Sequence, residues 1–169
     1  MEKNKKANRK AVIIVGISVV LLAMLLVSVA VLYPSLKAKS ELKKMTDRLS
    51  DSSLKSSTVY DPDEGKDLFN AGGVERIAND DERTRLKTLI LKITDGATYS
   101  SKDTEEVSFD YNLRIRFRFS NDETVYFYIS DGKFFITSDG VRYFFATKDE
   151  SAYRNLMSFA YSLIKTENP

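Results

Sequence analysis

The chain has 169 residues and a formal net charge of +2, and it contains no Cys, no His and no Trp. Without Cys there is no disulfide or thiolate chemistry, and without His the usual near-neutral general base and the commonest metal ligand are missing. Residues 1–59 hold 11 Lys and Arg against 4 Asp and Glu, whereas residues 60–169 hold 15 against 20. The acidic balance of the C-terminal part argues against nucleic acid as its partner.

An uncharged apolar run at residues 11–33 follows a basic tail at residues 1–10. At about 1.5 Å per residue, a helix of this length covers roughly 35 Å and can cross the hydrocarbon core of a bilayer. The pattern predicts a single-pass transmembrane signal-anchor that has the lipid bilayer as its first partner. A cleaved signal peptide is the alternative, because Ser28-Val29-Ala30 resembles a cleavage site. The apolar run continues past that site, which favours an uncleaved anchor.

The orientation of this anchor rests on the basic residues beside it. Five Lys and Arg precede the run and five follow it closely, so the number of positive charges does not decide the orientation. Arg9 and Lys10 adjoin the run directly, whereas the uncharged Pro34 and Ser35 follow it. We therefore expect the N-terminus inside the cell and the C-terminal domain outside the cell membrane.

Residues 34–59 are predicted to form a helical stalk followed by a Ser-rich linker. Pro34 suits a first helical turn, and one apolar stripe follows it, formed by Ala38, Leu42, Met45 and Leu49. A solvated or membrane-lying stalk is favoured over a short coiled coil, because two heptads are few for a coil. Weak self-association through the stalk is the corresponding alternative. The composition of residues 50–58 is that of a linker.

An acidic stretch at residues 60–67 opens the predicted domain, which covers residues 60–169. A calcium loop of the EF-hand type would need Gly at its sixth position and Glu at its twelfth. Counted from Asp61, those positions hold Lys66 and Gly72, so an acidic turn is the better interpretation. We expect no metal site and no cofactor.

Helix punctuation marks residues 79–96. Asn79 is a good N-cap with Glu82 three residues later, and Gly96 suits the C-terminal end. The apolar positions at helical spacing are Leu86, Leu89, Ile90 and Ile93. A strand through Leu89, Leu91 and Ile93 is the alternative.

Alternating apolar residues predict four strands after this helix. The first is one long strand over residues 107–119. The next three are TVYFYIS, KFFITS and VRYFFA, separated by Asp131-Gly132 and Asp139-Gly140. Asp-Gly pairs favour two-residue type I′ hairpins, because both central residues of that turn have positive φ. The result is an antiparallel four-stranded meander.

The hairpin loops predict the pairing of these strands. The two Asp-Gly loops pair Ser130 with Lys133 and Ile136 with Tyr143. A three-residue loop at residues 121–123 pairs Phe119 with Val125 and places three large apolar pairs on one face. On the opposite face this register pairs the arginines with tyrosines, as Arg118–Tyr126 and Arg116–Tyr128.

A second helix is predicted after the meander. Residues 147–150 (Thr-Lys-Asp-Glu) fit a capping box. The amphipathic stripe behind it comprises Tyr153, Leu156, Met157, Ala160, Tyr161 and Ile164. We therefore expect an α+β fold in which helices pack on one face of the meander in a two-layer domain.

The sheet face opposite these helices is the candidate functional surface. Its predicted partner-binding residues are Arg114, Arg116, Arg118, Tyr126, Tyr128, Phe135, Arg142 and Phe144. A solvated face, a contact surface, and a face covered by residues 60–78 are the three interpretations. Arg and Tyr are enriched at interface centres, which favours the contact surface as the functional hypothesis. Recognition of RNA by such a face fits poorly with the domain's negative charge.

No catalytic constellation is present in the sequence. The Ser52-to-Lys55 pair lies in the predicted linker, and Asp80 with Asp81 suits the start of a helix. We therefore expect a protein that is not an enzyme.

Two resemblances bear on the class of protein. The stretch VYFYISDGKFFITSDGVRYFFATKDESAYRNLMSFAYSL resembles small membrane-anchored or lipoprotein-like extracytoplasmic domains of unknown function from Gram-positive bacteria, over residues 107–164. This resemblance implies a cell-envelope setting. The basic leader, apolar helix, stalk and sheet are similar in outline to pilin-like subunits, although the Glu that follows the Gly in pilins is absent after Gly16. The favoured hypothesis is an anchored, non-catalytic domain that binds a protein or another envelope component. A pilin-like or coil-assembled structural subunit is the alternative.

Overall fold

The computed structural model describes residues 2–51, 53–62, 73–104, 111–130 and 132–165. The chain divides into two compact units, Met1–Lys37 and Ala38–Pro169. The predicted acidic turn beyond residue 62 and the strand residues Val107 and Phe109 lie outside the described residues.

The first unit consists of the greater part of helix α1 (Glu2–Asp51). This helix is long and apolar enough to cross a membrane. The described apolar side chains of this helix up to residue 32 are exposed, with Leu21, Leu25 and Leu32 between 57% and 61% exposed. Pro34 lies inside the helix rather than at the start of a new one, which corrects the predicted helix start.

The second unit is an α+β domain. Its elements after α1 are β1 (Leu54–Asp61), β2 (Val74–Ala78), α2 (Asp80–Thr94), β3 (Thr98–Thr104), β4 (Leu113–Phe119), β5 (Thr124–Ser130), β6 (Lys133–Ser138), β7 (Val141–Ala146) and α3 (Glu150–Lys165). The strands form a seven-stranded antiparallel sheet in the order β2-β1-β4-β5-β6-β7-β3. The predicted four-stranded meander is thus only the middle of a larger sheet.

The prediction of a stalk and linker ahead of the domain is wrong. The stripe Ala38, Leu42, Met45 and Leu49 is buried in the domain core, with exposed fractions of 0%, 7%, 6% and 0%. Residues 54–58 of the Ser-rich stretch belong to β1, which pairs with β2 on one side and β4 on the other. Backbone pairing on both sides compensates for its weakly apolar sequence. The compact domain therefore starts at Ala38 rather than at residue 60.

Helix α2 begins and ends as predicted. Asn79 and Glu82 form a reciprocal capping box at 2.9 and 2.8 Å, and Gly96 has a φ of +63° after the last turn. The alternative strand at these residues is wrong. Helix α3 begins differently from the prediction, because the Asp149 carboxylate accepts from the Ala152 N–H at 2.8 Å. Thr147 instead accepts from the Asp149 N–H at 3.2 Å, so it does not cap the helix.

The core lies between the helices and one face of the sheet. Ile115, Phe117, Phe127, Phe134 and Phe145 are fully buried there. The rings of Phe127, Phe134 and Phe145 stack in sequence across β5, β6 and β7, with centroid separations of 4.8 and 5.3 Å. From α3, the buried residues are Ala152, Leu156, Ala160, Leu163 and Ile164.

The two Asp-Gly hairpins have the predicted register, with Ser130 opposite Lys133 and Ile136 opposite Tyr143. The β4–β5 register differs from the prediction by two residues, because Val125 lies opposite Phe117 rather than Phe119. The loop is displaced by one residue toward β4, so that residues 120–122 rather than 121–123 lie between the strands. The Phe119 N–H donates to the Glu123 carbonyl at 2.9 Å, and Asp122 adopts a φ of +62°. A shift of two keeps every side chain on its predicted face.

Candidate interaction surface

Three arginines of β4 alternate with its buried residues and point away from the helices. Arg114 lies opposite Tyr128 of β5, Arg116 opposite Tyr126, and Arg118 opposite Thr124. Each tyrosine therefore lies opposite the arginine two positions earlier in β4 than the predicted one. We call the exposed side of the sheet formed by Arg114, Arg116, Arg118, Tyr126 and Tyr128 the Arg–Tyr face.

Arg114 lies between two tyrosine rings. Its guanidinium carbon is 4.6 Å from the ring centroid of Tyr60 and 5.8 Å from that of Tyr126. Tyr60 lies directly opposite Arg114 on the neighbouring strand β1. Such cation–π contacts contribute about 0.5–1 kcal/mol at exposed sites. Among the described residues, Arg114 is thus fixed by aromatic rings rather than by a carboxylate.

Arg116 forms an ion pair with Glu75 of β2, with 2.8 Å between Nη2 and Oε1. The two side chains reach each other across β1, where Thr58 lies opposite Arg116. Both remain partly accessible, with exposed fractions of 38% and 40%. An accessible pair of this kind contributes about 0–1 kcal/mol to stability.

Arg118 is paired with Asp122, four residues further on, with 3.0 Å between Nη2 and Oδ1. The same carboxylate oxygen accepts from Lys55 Nζ at 3.0 Å. The hydrogen bond and charge of Lys55, followed by the charge of Arg118, lower the pKa of Asp122 below its ordinary value. Two cations therefore share one carboxylate at this end of the face.

The aromatic end of the surface is buried, which corrects its prediction as an open contact area. Phe135 is 2% exposed and Phe144 is 7% exposed. Tyr128 stacks on Phe135 at 4.5 Å with an interplanar angle of 2°, and Phe135 contacts Phe144 at 5.0 Å. Tyr111 stands edge-on to Tyr128 at 5.1 Å. These rings consolidate the sheet and leave little area for a partner.

Arg142, the last of the predicted residues, lies away from the other arginines. It is half-buried in β7, opposite Thr137 of β6 and Asp103 of β3. The structure therefore brings together the arginines of β4 with Tyr126 and Tyr128, and it places Arg142 beyond the buried aromatic rings.

The accessible part of the face lies over β2, β1, β4 and the start of β5. Ile77 of β2 is 69% exposed and Tyr126 is 36% exposed, and both lie on the same side of the sheet as the arginines. Gly73 lies at one edge of this area next to the Tyr60 ring, so closely that a Cβ added there would clash with the ring. The face thus has an open half next to a half whose aromatic residues are buried.

A cavity of about 450 Å³ adjoins the open half at Tyr126. Pairing between β5 and β6 ends at Tyr128 and Phe135, although both strands continue, and the cavity opens where the pairing ends. Its wall from α1 includes Glu41, which accepts from the Ser138 hydroxyl at 2.9 Å and from Lys44 Nζ at 2.7 Å. Tyr126 therefore belongs both to the face and to a polar recess beside it.

The sequence did not indicate the residues that hold the arginines. Glu75 and Tyr60 lie on β2 and β1, two strands that the apolar pattern did not predict. Asp122 lies in the predicted loop, and its position four residues after Arg118 is the feature of the sequence that indicates this ion pair. Among the described residues there is no cluster of three or more acidic side chains that could hold a metal ion.

No protein-family model, no curated protein and no solved structure matches this chain.

Proposed function

We propose that this chain is a single-pass membrane-anchored protein of the cell envelope whose C-terminal domain lies outside the cytoplasm and binds a partner without catalysis. Support for the anchor comes from α1, whose apolar side chains between residues 15 and 32 are exposed along the helix. Apolar side chains in such numbers are stable only in lipid or against another protein.

The observation that carries the binding role is the open half of the Arg–Tyr face. Arg116, Arg118, Tyr126 and Ile77 are accessible together on one side of a rigid sheet. Arg and Tyr are the side chains most enriched where interfaces derive their binding energy. The planar guanidinium of Arg presents its donors in a fixed fork, so less conformational entropy is lost for each hydrogen bond that it forms with a partner.

The charges on this face favour an acidic protein partner. Arg116 and Arg118 are paired with exposed carboxylates of the chain itself, and such pairs contribute little to stability. Carboxylates of a partner can therefore replace Glu75 and Asp122 at small cost while they gain two guanidinium groups. Tyr126 and Ile77 supply the apolar area beside them.

A photo-crosslinking amino acid placed at Thr124, which lies opposite Arg118, tests this role in intact cells. The chain with native arginines is compared with the Arg116→Ser/Tyr126→Ala variant, and Arg154→Ser on the exposed side of α3 is the matched control. We expect a discrete crosslinked protein whose yield falls about tenfold in the double variant and is unchanged in the control. Equal yields from the native chain and the double variant would overturn the proposal.

A further inference from the structure

A shallow groove of about 600 Å³ lies on the helix side of the domain, between the last turns of α1 and the C-terminal half of α2. Leu42 and Leu91 contribute apolar surface to it. Lys39 and Lys43 of α1 and Lys92 of α2 also line it. The groove thus combines apolar surface with cationic side chains.

The charge in this groove is only partly neutralised. Lys43 donates to both oxygens of Asp47, at 2.9 and 2.7 Å. Lys39 and Lys92 are exposed and form no ion pair with another described residue. Asp95 is the acidic residue among those that line the groove, against three lysines. This excess of positive charge fits a ligand that is anionic at one end and apolar at the other.

The position of the groove in the chain favours lipid as that ligand. Lys39 follows Tyr33, the last residue of the apolar run, by six residues. Six residues reach at most roughly 20 Å even when fully extended, so Lys39 cannot lie far from the lipid head groups if the run is in the membrane. Lysines close to an anionic bilayer surface are attracted to its head groups.

We propose that this groove binds the phosphate head group of an anionic phospholipid, with Lys39 and Lys92 as the cations that contact the phosphate. The inference rests on the proposed membrane anchorage. Leu91, which is half-buried, contacts the apolar part of the lipid next to the head group. Lipid bound on the helix side leaves the opposite face of the sheet free for a protein partner.

Acetylation of lysines in the full-length protein tests the proposal. The protein is reconstituted into nanodiscs of phosphatidylcholine alone or mixed with phosphatidylglycerol. It is then treated briefly with a water-soluble acetylating reagent, and modification of each lysine is measured by mass spectrometry. We expect acetylation of Lys39 and Lys92 to fall about threefold in the anionic discs.

Lys44 is the matched control within the same helix. It is 67% exposed and pairs with Glu41 outside the groove. We expect its acetylation to change little. An equal fall at Lys44 would show attraction to the membrane surface in general and would overturn the groove as the binding site.

Two further arms separate the remaining outcomes. Inorganic phosphate added to phosphatidylcholine discs should give no protection, and protection by phosphate alone would replace the lipid site by a site for a free anion. Retention of the protein in the discs through high-salt washes without detergent tests the anchor itself. A protein that stays in the discs but shows no protection refutes the groove proposal while the anchorage stands.

Discussion

Arg116 of β4 and Glu75 of β2 form an ion pair of 2.8 Å across the intervening strand β1. This contact shows what one of the three alternating arginines faces. Its positive charge is met by a carboxylate of the same sheet, and Arg118 is met in the same way by Asp122. A carboxylate of a partner would therefore have to displace Glu75 or Asp122 to pair with these arginines.

Replacement of Glu75 by Gln tests how loosely Arg116 is held. Since both side chains are accessible, we expect the free energy of unfolding to change by less than about 1 kcal/mol in urea denaturation. The crosslinking yield of an acidic partner should rise, because Arg116 no longer has an internal carboxylate. A lower yield in a folded Glu75→Gln protein would argue against an acidic partner.

Leu49→Ala tests whether the end of α1 belongs to the domain. Leu49 is fully buried in the core, so its truncation should lower the free energy of unfolding by about 2–5 kcal/mol. Ser50→Ala, at the next and exposed position, is the control and should change it by less than about 0.5 kcal/mol. Equal small effects would instead support a solvated stalk.

Gly73→Ala tests the contact between Gly73 and the Tyr60 ring at the edge of the Arg–Tyr face. Gly73 has a φ of +101°, and a Cβ there would clash with the Tyr60 ring. We expect a loss of about 1–3 kcal/mol in the free energy of unfolding. Gly132→Ala is the matched control, because Gly132 has a φ of +74° but open space around its Cβ position.

The Tyr60→Ala background separates clash from backbone strain in this experiment. Without the ring, Gly73→Ala should cost no more than Gly132→Ala, since only the positive φ remains. If the cost of Gly73→Ala is the same with and without the Tyr60 ring, the two groups are not in contact.

The free energy of unfolding should decrease in acid, because Asp122 becomes protonated there. Its pKa is lowered in the folded state by the hydrogen bond and charge of Lys55 and by the charge of Arg118. The folded chain therefore binds a proton less readily than the unfolded chain, so the contribution of Asp122 is present at neutral pH. It disappears as the pH falls from the ordinary carboxyl pKa of roughly 4 through the lower folded value.

Urea denaturation at a series of pH values measures this contribution, with Asp122→Asn as the comparison. The difference in stability between the two proteins should be greatest near neutral pH and should shrink in acid. A difference that is constant from neutral to acidic pH would mean that Asp122 has the same pKa in both states.

The parts of the fold predicted correctly from sequence are those specified by local chemistry. Asn79 with Glu82 marked the start of α2, and Asp139 with Gly140 adopts the positive φ values, +53° and +70°, that its hairpin requires. Both signals depend on neighbouring residues alone.

The errors arose where tertiary pairing outweighs local pattern. Strands β1 and β3 are rich in Ser, Thr and Lys and do not show a regular apolar alternation. Their backbones are ordered by pairing with β4 and β7. The sequence predicts the apolar stripe from Ala38 to Leu49, but an apolar stripe on a helix does not indicate which part of the protein packs against it.

The candidate surface was predicted in part for the same reasons. Alternation placed Arg114, Arg116 and Arg118 on one face, because a shift of two residues does not change the face. It did not predict Glu75 as the partner of Arg116, since this contact requires strand β2. It favoured an open contact surface over a face covered by the chain itself, whereas Phe135 is buried.

The most direct test uses the absence of Cys from the native chain. Single substitutions Ile77→Cys, on the open half, and Arg154→Cys, on α3, are labelled in intact cells with a membrane-impermeant maleimide. Phe134→Cys, at a fully buried position, is the negative control. We predict that Arg154→Cys is labelled without permeabilisation, that Ile77→Cys is labelled in the purified protein whether or not a partner shields it in cells, and that Phe134→Cys is labelled only after denaturation. Failure of Ile77→Cys to react in the purified protein would show that the chain itself covers the Arg–Tyr face, and labelling of Arg154→Cys only after permeabilisation would place the domain in the cytoplasm; either result would contradict the account.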